Sequence, residues 1–340
     1  MDVTELTKQL KNATPAMIYV VLGTQQALQQ AALDSFLSII PEDQQVMNVG
    51  RYDMEVTPVA AALDDAMSAP FFGERRLVII NKPYFLAGEK KGGSVEHDID
   101  SLMKYLEQPE PSTTLVFLAP YEKLDGRKKV VKELKKVAVT VSAAPLDEHQ
   151  ARAEVDKQLG EAGFDIAPQA MDELVQRTNA DYGLMVANLD KLKLLAYESK
   201  EISAQMVQDL VPQSLDDNVF DLVTAVLQKD QAKSLELYQQ LLAGQKQPLQ
   251  INAVLVSQFR LLIQIKILVA HGLSQGSIAS KLSVHPYRVK LGMQTVRRFT
   301  LDQLSEAYLG LIEIEKSLKT SQRDPELLFQ LFLLTYSRKV

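Results

Sequence analysis

The sequence has no cysteine in 340 residues. That excludes disulfides, cysteine-ligated zinc and thiol catalysis together. Histidine is scarce as well: His97, His149, His271 and His285 are scattered and share no metal-ligand spacing. A basic excess is also missing. The formal net charge of −6 argues against a free-standing nucleic-acid binder, although a local basic face can hide within that sum. The first residues, Met1-Asp-Val-Thr-Glu5, lack a basic region followed by an apolar core, so no signal peptide is expected. Residues 249–273 form a long apolar stretch, but Gln258, Arg260, Gln264 and Lys266 interrupt it and make a membrane span unexpected. What is left is a cytoplasmic protein of ordinary composition, long enough for two or three domains.

The stretch 63–80 organises what is present. Val59, Ala62, Leu63, Ala66 and Met67 recur at helical spacing and predict an amphipathic helix. Pro70 is expected to stop it, having no N–H to donate and forcing Ala69 out of the α region. Residues 77–80 are all apolar, the pattern of a strand buried on both faces of a parallel sheet. At the corner stand two adjacent aromatics, Phe71 and Phe72, followed by Gly73 and three charged residues. One reading packs one ring inward and caps the sheet with the other. The second offers both as a hydrophobic tip to a partner.

A short helix is expected over residues 1–12, a buried strand over 17–22 and a helix over 25–39. Strand, glycine and helix is the setting of a phosphate-binding loop, G-x-x-x-x-G-K-[ST]. Gly23 fits the first glycine. Leu28 then replaces the second, Gln29 the lysine and Gln30 the hydroxyl residue. No ammonium reaches a phosphate there and no hydroxyl holds magnesium. The strand at 77–80 ends in Asn81-Lys82 where metal-positioning carboxylates are needed, and a lysine repels the metal. A further strand, 113–119, runs into Pro120 instead of a polar sensor. The pattern is an ATPase-like domain with a degenerate nucleotide site and no bound cofactor.

Residues 86–98 read as a flexible, glycine-rich surface loop, and 100–107 as a helix. Residues 123–136 carry seven basic side chains. Val130, Val131 and Leu134 give this helix an apolar face and leave the lysines on the other. A solvated face is the default; the alternative is contact of Arg127, Lys128 and Lys132 with DNA phosphates in an assembled complex. A last strand is expected at 137–141. From Pro145 to about Val211 only helices are read, followed by seven more to residue 336. Thr300 with Gln303 fits a capping box, and Asp324-Pro325 an N-cap followed by proline at the first helical position. The expected division is 1–143, 144–212 and 213–340. Residues 272–290 have helix-turn-helix spacing, with Ile278, Ala279, Leu282, Val284 and Val289 as its core. That permits a DNA-binding regulator as the alternative function.

With this layout, the chain resembles the delta-subunit family of the bacterial DNA polymerase III clamp loader. The likeness is strongest at Pro70-Phe-Phe-Gly-Glu-Arg-Arg-Leu-Val-Ile-Ile80, Lys123-Leu-Asp-Gly-Arg-Lys-Lys129 and Asn218-Val-Phe-Asp-Leu-Val-Thr-Ala225. Ser257-Gln-Phe-Arg-Leu-Leu262 and the segment 278–286 also look like that family. The resemblance implies an AAA+-type α/β domain, a helical lid and a C-terminal helical collar that joins other subunits in a five-membered ring. It implies an accessory subunit of a DNA-directed DNA polymerase with no active site of its own. Its partners would be the sliding clamp (beta), the gamma/tau and delta-prime subunits, and primer-template DNA within the complex. The missing cysteines agree, since gamma/tau and delta-prime usually carry a zinc module. Family members bind the clamp through two adjacent hydrophobic residues, and Pro70, Phe71 and Phe72 fall on that position.

Overall fold

Runs of apolar, β-favouring residues that leave no polar face must be covered on both sides, and three such runs form the centre of a sheet here. The computed structural model describes residues 1–71, 73–88, 95–212, 215–244 and 247–338, the side chains of 215–218 excepted. The chain separates into two compact units, Met1–Leu146 and Asp147–Val340.

The first unit runs α1 (Val3–Asn12), β1 (Ile18–Leu22), α2 (Gln26–Leu37), α3 (Gln45–Asn48), β2 (Val49–Asp53), α4 (Val59–Ala66), β3 (Arg76–Asn81), α5 (Ile99–Glu107), β4 (Thr113–Ala119), α6 (Lys129–Val137) and β5 (Val139–Ser142). All five strands are parallel, in the order β2-β3-β4-β1-β5. Residues 77–80 of β3 and the whole of β4 are buried. The fold is the ATPase-like α/β arrangement expected from the sequence. Strand β2 was not expected: it lies at the sheet edge and none of its residues is fully buried, so Val-Gly-Arg-Tyr-Asp carries no apolar run. Helix α4 buries Val59, Ala62, Leu63 and Ala66 as its spacing predicts, but it ends at Ala66, before Pro70 is reached. Met67, expected on the apolar face, is exposed. Of the glycine-rich loop expected at 86–98, residues 89–94 lie outside the described residues.

The second unit begins with α7 (Glu148–Glu161), β6 (Asp165–Ile166), α8 (Pro168–Thr178), α9 (Tyr182–Leu195), β7 (Glu201–Ile202) and α10 (Ala204–Leu210). The reading of this region as purely helical needs correction: β6 and β7 pair in parallel. Each is two residues long, too short for an alternating pattern to register. Then come α11 (Leu215–Leu227), α12 (Gln231–Ala243), α13 (Pro248–Ala270), α14 (Gln275–Leu282), α15 (Pro286–Val296), α16 (Leu301–Thr320) and α17 (Pro325–Arg338). Both predicted start signals are present. Thr300 and Gln303 form a reciprocal capping box, and Asp324 accepts from the Leu327 N–H at 2.9 Å.

Helix α13 is long and apolar enough to cross a membrane. Instead it buries Ile251, Leu255, Phe259, Leu262 and Ile265 within the bundle, and Asn252 donates to the Leu311 carbonyl of α16 at 3.1 Å. Between α12 and α17 the rings of Tyr238 and Phe329 stack at 4.2 Å, both almost fully buried. Substituting Phe329→Ala is expected to cost about 3–5 kcal/mol, through lost transfer energy and an unfilled cavity. Urea unfolding of the full chain, followed by the helical signal, checks this; a loss under about 1 kcal/mol would mean the bundle repacks around the gap.

Candidate functional site

Because β2 and β3 are parallel and paired, with Val49 opposite Leu77, the segments leading into them lie side by side. Helix α3 enters β2, and the Phe71 corner enters β3. Asn48, the last residue of α3, is completely buried and reaches across to the corner. The Phe71 N–H donates to Asn48 Oδ1 at 2.6 Å, and Asn48 Nδ2 donates to the Phe71 carbonyl at 2.7 Å. One side-chain amide thus holds both polar groups of one backbone residue, as a neighbouring peptide would.

A second brace lies under the corner. Arg76 approaches Asp65 of α4 at 3.2 Å and donates from Nη2 to the Met47 carbonyl at 3.3 Å. The approach to Asp65 is an ion pair without hydrogen-bond alignment, since Arg76 Nε and Nη1 have no hydrogen-bond partner among the described residues. Asp65 also bonds the Tyr52 hydroxyl, whose pKa is raised first by burial and then by that carboxylate. The Asp65 side chain occupies space beside Gly50: a Cβ there would stand 1.9 Å from Asp65 Oδ2, so the carboxylate would have to move.

On this base Phe71 is 52% exposed. Val46, Met47 and Met67 are exposed too, at 88%, 57% and 57%, and they belong to the segments the braces tie to the corner. Phe72 lies outside the described residues, and Pro70 is half-buried. Four exposed large apolar side chains on neighbouring turns suit contact with an apolar partner surface. Sequence reasoning found Phe71 but missed Asn48, Val46 and Met47. The only available signal was the apolar pair Val46-Met47 between polar residues, and without β2 nothing placed it beside Phe71.

The nucleotide position lies at the opposite, carboxyl end of the same strands, where open α/β sheets bind ligands. A cleft of about 510 Å³ there is lined by Gln26, Gln29, Gln30, Leu33, Asn81 and Leu118, among others. The structure therefore brings Gln29, Gln30 and Asn81 to one cleft. Leu28 points into the core. The loop's polar groups are turned on the protein itself. Gln29 Nε2 donates to the Gly23 carbonyl at 2.5 Å. The Gly23 N–H donates to the Ala119 carbonyl and the Gln25 N–H to the Ala143 carbonyl. A phosphate cradle needs such N–H groups directed at the ligand. Lys82 pairs with Asp53 at 3.1 Å and with Glu55, whose hydrogen bond is the main cause of its raised pKa. Among the described residues no group of histidine and carboxylate side chains could hold a metal ion.

The basic segment has its predicted apolar face, with Val130, Val131 and Leu134 buried. Its three candidate phosphate ligands differ in what they hold. The Arg127 guanidinium is bidentate to Asp125, at 2.9 Å on each oxygen, and holds that carboxyl at about 2. Lys128 Nζ donates to the carbonyls of Phe85 and Ala87 at 2.8 and 2.7 Å. Lys132 is exposed, and among the described residues no ion pair holds it.

The helix-turn-helix segment is α14 and α15, packed into the bundle. Ile278, Ala279 and Val289 are buried, with Leu282 and Val284 packed on them. Lys290, on the helix that would read bases, is paired with Glu148 at 2.5 Å.

Residues 19–144 match the family described as DNA polymerase III, delta subunit, and residues 216–336 match the DNA polymerase III delta subunit, C-terminal domain. A DNA polymerase III subunit delta from Bacillus subtilis (strain 168) is 35% identical over 331 residues, 97% of this chain and 95% of the relative. Among solved structures, the Bacillus subtilis DNA clamp loader delta protein superposes with a TM-score of 0.79 at 34% identity, covering 99% of this chain and all of that one. The chain belongs to the DNA polymerase III delta subunit family.

Proposed function

We propose that this chain is the clamp-loader subunit that binds and opens the sliding clamp, so that the ring can be placed on primed DNA during replication in the cytoplasm. The observation that carries this reading is the exposed corner at Phe71, held by the two Asn48 hydrogen bonds. Membership of the delta family supports it. Phe71, with Pro70 and Phe72, would enter an apolar pocket on the clamp. A rigid wedge opens a ring by binding better to a shape in which a neighbouring interface is strained, so that binding energy offsets part of that strain. Nothing in this step needs nucleotide on the wedge itself.

We assign 144–212 as the lid and 213–340 as the collar, which would join the gamma/tau and delta-prime subunits. Of the basic residues, Lys132 and Arg127 are available at the surface for DNA phosphates in the assembled complex. Lys128 is committed to the Phe85 and Ala87 carbonyls. The DNA-regulator alternative finds no support, because its reading helix is packed among others. A pull-down with purified clamp tests the main reading; DNA binding by the isolated chain without clamp binding would refute it.

We also propose that the chain neither binds nor hydrolyses ATP. Gln29 and Gln30 replace the loop's lysine and hydroxyl residue, β3 ends in Asn81-Lys82 without a carboxylate, and Gln29 occupies the loop carbonyl. Calorimetry with magnesium-ATP is expected to show no saturable heat. Saturable micromolar binding to the first unit would disprove this.

A further inference from the structure

Building on the clamp-binding reading of the corner, we propose that Asn48 is the positioning residue for that contact: its buried amide fixes the direction in which Phe71 leaves the sheet. Three observations carry the inference. First, Phe71 lies between the end of α4 at Ala66 and the start of β3 at Arg76, outside the hydrogen-bond ladders of both elements. Second, Asn48 makes two short hydrogen bonds to the N–H and the carbonyl of that same residue. Two bonds in opposite senses fix both the place and the rotation of the Phe71 peptide, where one would leave it free to pivot.

Third, Asn48 is fully buried although it is a polar residue on a four-residue helix beside exposed Val46 and Met47. Water does not compete for its amide, and low dielectric strengthens both bonds. Burial of an asparagine is costly unless its groups are paired, so the position demands this partner. Asn48 therefore couples the edge strand β2 to the Phe71 corner. The physical consequence is pre-organisation. A ring held in its bound direction loses less freedom on binding than one on a mobile turn, and the difference appears in affinity without any contact between Asn48 and the clamp.

The test uses the full chain and purified clamp, with affinity measured well below the melting temperature. Asn48→Leu keeps four side-chain heavy atoms in the same forked arrangement and removes both bonds. Asn48→Asp keeps the acceptor for the Phe71 N–H but sets an oxygen against the Phe71 carbonyl. Asn48→Leu is expected to bind the clamp about tenfold more weakly, with Asn48→Asp between it and the wild type. Amide hydrogen exchange across residues 71–74 should accelerate in both. The decisive readout is the Phe71→Ala background. There the loss from Asn48→Leu, or from Asn48→Asp if the leucine variant does not fold, should shrink to about threefold or less, because the ring being positioned is gone. A role confined to general stability predicts the same loss in both backgrounds and would overturn the inference. So would wild-type affinity in either folded Asn48 variant while Phe71→Ala binds weakly. If Phe71→Ala and the double variant Phe71→Ala/Phe72→Ala both bind as the wild type does, the clamp-binding reading itself is wrong.

Discussion

Replacing Phe71 and Phe72 together by alanine is expected to weaken clamp binding by more than about a hundredfold and to leave thermal unfolding nearly unchanged. Burying a phenylalanine side chain contributes about 1.5–3 kcal/mol, which sets a ceiling of about 6 kcal/mol for the pair. Phe71 already hides about half of its surface in the free protein, so its share falls accordingly. A loss of about 3 kcal/mol is still just over two powers of ten in affinity. Stability should hardly change, because a half-exposed side chain at a corner leaves no closed cavity when it is removed. Parallel measurement of melting and clamp affinity separates the two readings weighed from the sequence. A much earlier melting transition would identify the rings as core residues. Undiminished affinity would remove the corner from the clamp contact.

Substituting Gly23→Ala is expected to destabilise the first unit by at least about 4 kcal/mol, among the larger effects a single methyl can have. Gly23 has φ +146°, a region that side chains rarely adopt. A Cβ there would lie 2.0 Å from the Ala143 carbonyl carbon and 2.3 Å from the Ala144 nitrogen. Those atoms are backbone, fixed by the hydrogen bonds of Gly23, Gln25 and Ala143 that close β1 onto its neighbours β4 and β5. No side-chain rotation relieves such an overlap. The first unit should therefore unfold early in urea while the second keeps its own transition. Gly160→Ala on α7 is the control. Nothing lies within 4 Å of its added Cβ, so the change should stabilise the second unit by about 0.5–1 kcal/mol through helix propensity. A Gly23→Ala protein as stable as the parent would show that the loop can open away from β5. The glycine of a phosphate loop would then serve here as a hinge. In the structure it is the point where the loop packs against the end of β5.

These two sites show where sequence sufficed. The missing lysine and hydroxyl at Gln29 and Gln30 are properties of single positions at fixed spacing from Gly23, and that spacing survives folding because the strand and helix around it are regular. Buried runs such as 77–80 and 113–119 declare themselves through composition alone, since only a two-sided core tolerates them. The caps at Thr300 and Asp324 are local, formed within four residues, and were legible for that reason. Adjacent aromatics at 71 and 72 were visible too. Whether a ring faced water was not, because exposure depends on residues far away in the chain.

Tertiary structure decided the rest by bringing remote segments together. Strand β2 carries no apolar run, so its place at the sheet edge follows from pairing with β3. That pairing alone puts Asn48 beside Phe71, 23 residues away. The Met67 side chain follows the helical period of α4 but escapes its buried face, because the helix ends one residue earlier. Lys128 and Lys132 look alike in a basic run, yet one is tied to carbonyls 41 and 43 residues away and the other stands in solvent. By itself the sequence determined which segments had to be buried and which chemistry was absent, since both follow from residue type and local period. Which exposed side chains stand together, and what holds them, required the fold, because those contacts join residues with no relation along the chain.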